Sequence, residues 1–409
     1  MKHSAFFRTV SPGSKAAVLA RFARSEWRAR TKGVRFDPLP EPMIRKMPDT
    51  VTCLPGLYER DQLDRVVRCG FKRTLEGELE KLDARSFLET PLSEYRLRDA
   101  IIAGRQIFTP ETRHFFGALP SLASLREVCV QHDRATLLNS EQGLWYFGHW
   151  LRDDCAVYEE VQTEPNLLSM QRPHWPDRHV YETAFRQTWT ATPLAHVAEL
   201  TVYRELGFSR DKARRLRLLR ARLRAAHPAQ GQGKIVYISR GRLGAARTMS
   251  NADTVESAFA AAGITVVEPG VDGESLVRTL LDATMIITIE GSQASHGVYT
   301  LADGGALLIL QPPDQGGCIQ ALPALRIGLA SNRVGKPPPQ PARGNQRPPA
   351  AFQLLLRSRH RPGDRPLAGQ DQPFGILRRV GRHREIEPHA TGAVSIRQCR
   401  RRSSRTGTP

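Results

Sequence analysis

"TMIITIEGSQASHGVYTLADGGALLILQP", from Thr284 to Pro312, is the stretch that decides the fold class. It opens on a short apolar, β-branched run, crosses a loop of small and polar residues, and closes on a second apolar run. Each run is shorter than an ordinary helix and suits a strand buried on both faces of a parallel sheet. "SQASHGVYTLA" between them predicts a short helix, and "ALLILQP" (306–312) a strand. The same alternation recurs upstream. "KIVYIS" (234–239) and "ITVVEP" (264–269) read as strands. "TVESAFAAA" reads as a helix with an N-cap at Asp253, Glu256 three residues on and Gly263 as its stop. "GESLVRTLLDA" (273–283) is a helix with Leu276, Val277, Leu280 and Leu281 on one face. Strand and helix in strict alternation predict an α/β fold with a parallel, helix-covered sheet.

Such sheets bind ligands beyond the carboxyl ends of their strands. The first exit, "VYISRGRLGAARTMSN" (236–251), carries Ser239, Arg240, Arg247 and Asn251. An arginine there offers a two-pronged fork to a diphosphate, although an exposed arginine after a strand is more often structural. The spacing is not G-x-G-x-x-G, so no dinucleotide fingerprint is present. The second exit offers Glu268, a ribose or base contact or a solvated turn residue. The third, "EGSQASH", offers Glu290, Gly291, Ser292, Ser295 and His296. Gly291 allows close backbone approach, and Ser292 opens a helix whose free N–H groups favour phosphate.

The rest of the chain divides by texture. Residues 1–50, rich in Arg and Pro, read as a basic, poorly ordered leader, and "AAVLARFARSEW" within it as an alternative short amphipathic helix that touches an anionic membrane. Residues 51–205 form a first domain with helical runs expected at "QLDRVVRCG" (62–70) and "SEYRLRDAIIAG" (93–104). Residues 206–231 are a connecting helix and linker. Its "FSRDKARRLRLLRARLRAAH" reads as a solvated basic helix packed through Leu216, Leu218, Leu219 and Leu223. Residues 232–315 are the nucleotide domain, and 316–409 a tail.

Net charge is +19, but 18 Lys and Arg against 4 Asp and Glu lie from Gly316 onward. Most of the basicity therefore belongs to the tail. Two readings of the tail stand: a disordered basic extension, or GC-rich coding sequence translated out of frame. The abrupt break after a well-patterned strand favours the second. No apolar stretch approaches a membrane span. Cys53, Cys69, Cys129, Cys155, Cys318 and Cys399 form no C-x-x-C pair, which points to reduced thiols in a cytoplasmic protein, with neither a zinc site nor a disulfide scaffold. No D-x-D occurs to bridge a diphosphate through a metal.

"YISR" with a downstream Arg and Asn, a strand ending in "EP", and "ITIEGSQASHGVYTLADGGALLILQPPD" together resemble glycosyltransferase family 61, the capsular polysaccharide biosynthesis type. "LWYFGHWLRDDCAVYEE" (144–160) is similar to that family's aromatic-x-x-His segment before a helix bearing Asp. The resemblance covers roughly 130 to 315. It implies a two-domain GT-B architecture that moves a sugar, with inversion, from a nucleotide-sugar donor to a glycan or lipid-linked acceptor in surface polysaccharide synthesis. No metal or other cofactor is expected, and the work falls at the inner membrane face. Carried over, Arg240 and Arg247 contact the diphosphate, Gly291, Ser292 and Ser295 the phosphate end, and Glu268 the nucleoside. His149 faces the cleft as base, with Asp153 or Asp154 orienting it or serving instead; the bland alternative is a histidine packed among Trp145, Tyr146, Phe147 and Trp150. Many members have His-Gly-Ala/Ser where this chain has Glu290-Gly291-Ser292, and Asn at His296. The rival reading is a nucleic-acid-binding protein acting through its tail, which the charge distribution disfavours; the third is an inactive remnant lacking the end of its nucleotide domain.

Overall fold

The computed structural model describes residues 15–311, except 57, 59, 70–72, 120, 122–126, 229–232, 241–248, 250 and 271. Arg247 and the basic tail, with both readings of it, therefore lie outside the described residues. No helix among those described is long and apolar enough to cross a membrane.

The first half is built on a mixed sheet. Its strands are β1 (Met43–Ile44), β4 (Ser93–Ala103), β5 (Gln106–Phe108), β6 (Arg113–Phe115), β7 (Val130–Leu137), β8 (Leu167–Leu168) and β9 (Leu194–Arg204). They run in the order β6-β5-β4-β9-β7-β8, with β1 also on β4. A separate antiparallel pair joins β2 (Thr50–Thr52) to β3 (Ser86–Leu88). The helix expected over 93–104 is the long strand β4 instead. Leu97, Ala100 and Ile101 stand at helix-like spacing, yet Ile101 and Ile102 are both fully buried and enter different cores. Adjacent side chains on opposite faces are the period of a strand. β4 pairs along its length with β9, and that long-range pairing overrides the local pattern. Among the described residues of the run expected over 62–70, a 3-10 turn, Arg60–Arg65, forms in place of an α-helix.

Within the segment read as a poorly ordered leader, Lys15–Lys32 make an 18-residue helix. Ala17 and Val18 pack with Ile101, Phe108 and Leu194. Arg21 donates to the carbonyl and carboxylate of Asp99 at 2.6 and 2.8 Å, and Arg28 forks onto Asp37. Leu19 and Trp27, at 56% and 60% exposure, are left on the outer face.

The parallel sheet consists of β10 (Ile235–Ile238), β11 (Thr265–Val267), β12 (Ala283–Ile289) and β13 (Leu301–Leu310), in the order β11-β10-β12-β13. All three of its strand pairings are parallel. The fold class expected from the alternation, a mixed α/β protein with a parallel sheet, is thus what forms. Two details differ. Asn251, not Asp253, occupies the N-cap of the helix Ala252–Ala261, and Asp253 sits in its first turn, where a carboxylate favours the helix dipole. β13 begins at Leu301, with a register jump between Ala283↔Leu301 and Met285↔Ala306 that loops out the small residues before the apolar run. Gly263, at φ 77°, does close its helix: its N–H and that of Ile264 reach back to Ala260 and Phe259.

The helix Arg210–Ala226 is not the solvated connector its charge suggests. Leu216, Leu219 and Leu223 are buried, but Leu218 is exposed. Several arginines do the docking. Arg215 forks onto Glu205 at 2.8 and 2.9 Å, both buried, and Arg222 onto Glu159 at 2.6 and 2.8 Å. Arg224 donates to the Tyr299 and Leu301 carbonyls, each at 2.8 Å, and Arg220 also reaches Leu301. These are carbonyls at the end of the helix His296–Thr300, where cationic donors are favoured. The leucines join Trp150, Tyr181, Phe185, Val277, Val298 and Tyr299 in one core.

Candidate functional site

The strand order reverses between β10 and β12, so the crevice of the parallel sheet opens at the exits of these two strands. Ser239 follows β10; it is buried, and its N–H donates to the Val267 carbonyl at 2.8 Å. Arg240 crosses the crevice to the other exit, where Nη1 donates to Gln293 Oε1. Gly291 lies directly under the guanidinium. Its φ of 152° suits glycine alone, and a Cβ there would stand 2.6 Å from Arg240 Nη1. Glu268, at the second exit, lines a cavity of about 160 Å³ with Tyr237, Ser239, Arg240, Met249, Ala252, Glu256 and Ile289. Burial and the neighbouring Glu256 push the Tyr237 phenol up to about 12. Burial, Asp253 and Glu268 raise Glu256 in turn. Tyr237 Oη and Gln293 Nε2 are buried without a hydrogen-bond partner among the described residues. Such donors call for an explanation, and a polar ligand supplies one.

The loop "EGSQASH" folds as a 3-10 turn, Ser292–Ser295, followed by the helix His296–Thr300. Glu290 and Ser295 are buried, Ser292 half-buried. His296 is not a cation at this loop. Its ring is buried against Phe147, with centroids 5.2 Å apart, and Nδ1 lies 2.6 Å from the Tyr181 hydroxyl. Burial pushes it down to about 4, so it is neutral at working pH.

The upstream segment meets this loop through a glycine. Ser140 caps the helix Glu141–Trp145 by accepting from the Gly143 N–H at 2.9 Å. Tyr146 interrupts it, the turn Phe147–His149 follows, and a π-helical turn spans Trp150–Asp154. A Cβ at Gly148 would stand 2.8 Å from Ser295 Oγ and 3.0 Å from Ser292 Cα. Only a glycine lets the backbones approach so closely, and the approach sets His149 beside the third strand exit.

His149 Nδ1 is 2.6 Å from Asp153 Oδ2. Burial alone would raise the Asp153 carboxyl, but Arg152, Lys212 and His149 hold it well below the usual carboxylate range. An ionised carboxylate only accepts, so Nδ1 donates to it, and in the neutral ring the lone pair is on Nε2. Nε2 has no hydrogen-bond partner among the described residues, while the side chain keeps 17% of its surface exposed. Asp154 points elsewhere. Its Oδ1 accepts from the Ser140 N–H and hydroxyl at 3.1 and 2.6 Å, and a Cβ at Gly143 would collide with Oδ2. Burial pushes Asp154 up to about 7. It secures the turn that precedes His149 and does not touch the ring.

The structure therefore gathers Ser239, Arg240, Glu268, Gly291, Ser292 and Ser295 at one sheet edge and brings His149 against it. Asn251 stands at the rim as the N-cap beside the cavity. Glu256, Tyr237, Gln293 and Lys212 are not legible from the sequence as site residues. Glu256 was read as a helix cap, and Lys212 is one cation in an arginine-rich helix. Among the described residues no group of three or more His, Cys, Asp or Glu is arranged to hold a metal ion.

Residues 147–307 match the family model described as Glycosyltransferase 61. The match begins at Phe147, beside the glycine contact, and ends within β13. No curated protein matches the chain.

Proposed function

From the match of residues 147–307 to the family model Glycosyltransferase 61, we propose that this chain is a glycosyltransferase of that family and transfers a sugar with inversion from a nucleotide-sugar donor to a glycan or lipid-linked acceptor, in surface polysaccharide synthesis. The arrangement is of GT-B type: the parallel sheet takes the donor, and the acceptor is presented from the side of the mixed sheet. Arg240 holds the diphosphate, with Ser292 and Ser295 near it, and Gly291 leaves the backbone open to the phosphate. Glu268, with Glu256 and Tyr237 in the same cavity, faces the nucleoside. His149 Nε2 takes the acceptor hydroxyl proton as that oxygen bonds to the anomeric carbon. The bond to the diphosphate oxygen breaks in the same displacement, and its charge is met by Arg240. The reaction runs on these side chains without a metal. The outer face of the helix Lys15–Lys32, with Leu19 and Trp27 exposed among basic residues, suits a peripheral position at the inner membrane face.

The observation that carries this reading is the close approach of Gly148 to Ser292 and Ser295, which puts the candidate base beside the loop that Arg240 crosses. The test is nucleotide release from a panel of UDP-, GDP- and CMP-linked sugars, with UDP and GDP binding measured by calorimetry. Arg240→Ala should weaken nucleoside-diphosphate binding by on the order of 2 kcal/mol, the worth of a charge-assisted hydrogen bond. Unchanged affinity in the folded variant removes Arg240 from the site.

A further inference from the structure

The first turn of the helix Arg210–Ala226 sends one side chain to the His149 site. Lys212 is completely buried. Its ammonium has three donors, and all three are used: Asp153 Oδ1 at 2.6 Å, the Glu205 carbonyl at 2.8 Å and the Gly207 carbonyl at 2.8 Å. Phe208 lies beneath it, with Nζ 4.8 Å from the ring centroid. The surroundings are themselves fixed. Ser209 Oγ accepts from the Lys212 N–H at 3.0 Å, and Glu205 is clamped by Arg215. A buried ammonium held by so many contacts has one geometry and cannot drift with its long stem.

That geometry is passed to Asp153. Lys212 claims one carboxylate oxygen, so the other is turned to His149 Nδ1 at 2.6 Å. Arg152 is the other cation at this carboxylate, at 3.4 Å from each oxygen and 3.3 Å from His149 Nδ1, and these contacts are much longer than the 2.6 Å bond from Lys212. From the facing turn come Ser295 and the neutral His296, neither bonded to His149. A carboxylate held only by Arg152 could rotate or turn toward that guanidinium, and the imidazole would lose the acceptor that keeps its proton on Nδ1.

We infer that Lys212 is a positioning residue for the transfer reaction: by pinning Asp153 Oδ1 it presents Oδ2 to His149 Nδ1 and keeps the Nε2 lone pair available for the acceptor hydroxyl. The role rests on the reading of His149 as base. Removing Lys212 should lower turnover through the ring's tautomer and leave donor binding alone, because its ammonium bonds to Asp153 and the Glu205 and Gly207 carbonyls and to none of the strand-exit residues.

The test is nitrogen-15 NMR of the histidine rings in the full chain at pH 8, with the His149 signals assigned by loss in His149→Gln. Wild type should show His149 as the Nδ1–H tautomer. Lys212→Met, which fills the same space without charge, should give mixed tautomers, release nucleotide from the preferred donor roughly 10- to 100-fold more slowly, and bind UDP or GDP within twofold of wild type. A folded Lys212→Met with unchanged tautomer and turnover overturns the inference, as does a wild-type His149 protonated on Nε2. If Lys212→Met does not fold, the wild-type tautomer still decides. If His149→Ala keeps full turnover, the base assignment falls by itself, and the ring's response to Lys212 is read separately.

Discussion

The Arg240 guanidinium rests on Gly291: Nη1 would be 2.6 Å from a Cβ placed on that glycine, and it is also bonded to Gln293 two residues on. One contact thus ties the exits of β10 and β12, on either side of the point where the strand order reverses. A cation and an open backbone are held together where a phosphate would need both.

Gly291→Ala tests this contact twice over. Its φ of 152° is strained for any side chain, and the methyl group must displace Arg240. We expect a stability loss of about 1–3 kcal/mol in urea unfolding, together with at least tenfold weaker UDP or GDP binding. Full affinity in the alanine variant would mean that Arg240 does not bind the donor from this position.

His149→Ala should separate chemistry from binding. Acceptor-dependent release of the nucleotide should fall by a factor of roughly 100 or more, the usual worth of a general base, while nucleoside-diphosphate affinity stays within twofold. A large loss of donor affinity with modest loss of rate would make His149 a donor-binding residue instead.

Asp154 predicts a pH dependence of stability. Its folded value, pushed up to about 7 by burial, lies above the ordinary carboxylate value near 4. Between these values the folded chain holds a proton that the unfolded chain has lost, so stability from this group is present at low pH and lost as pH rises toward 7. Asp154→Asn removes the loss. The variant should match wild type near pH 4 and exceed it increasingly up to pH 7.5, by about 4 kcal/mol at most. His296, pushed down to about 4, works in the opposite direction and strengthens the fold from about pH 4 to 6.5. Both proteins share that term, so it cancels in the difference. Parallel stability curves would show that Asp154 is ionised in the folded protein.

Leu19 and Trp27 share the outer face of the helix Lys15–Lys32. Replacing both by Ser should cut cosedimentation with vesicles of mixed phosphatidylcholine and phosphatidylglycerol by at least fivefold, with thermal stability unchanged because neither side chain is in the core. Equal cosedimentation of variant and wild type would place any membrane contact elsewhere.

The sequence by itself determined the parallel sheet, its helices and the strand exits that carry Ser239, Arg240, Glu268 and Gly291. These follow from short-range signals: buried runs between turn residues, amphipathic spacing, and glycines where helices stop. The aromatic-x-x-His segment was legible too, because it resembles a family pattern. Only the tertiary structure decided what the polar residues do. Asp153 and Asp154 are neighbours in the chain with opposite fates, one ionised beside His149 and the other buried under Ser140, because the π turn sends them to different surroundings. Ile101 and Ile102 looked helical until β9 paired with their strand. Lys212 could not be told from the arginines around it, since helical spacing says nothing of which cation meets a carboxylate 59 residues away. Local pattern specifies an element, whereas the charge state and role of a side chain depend on neighbours that only the folded chain supplies.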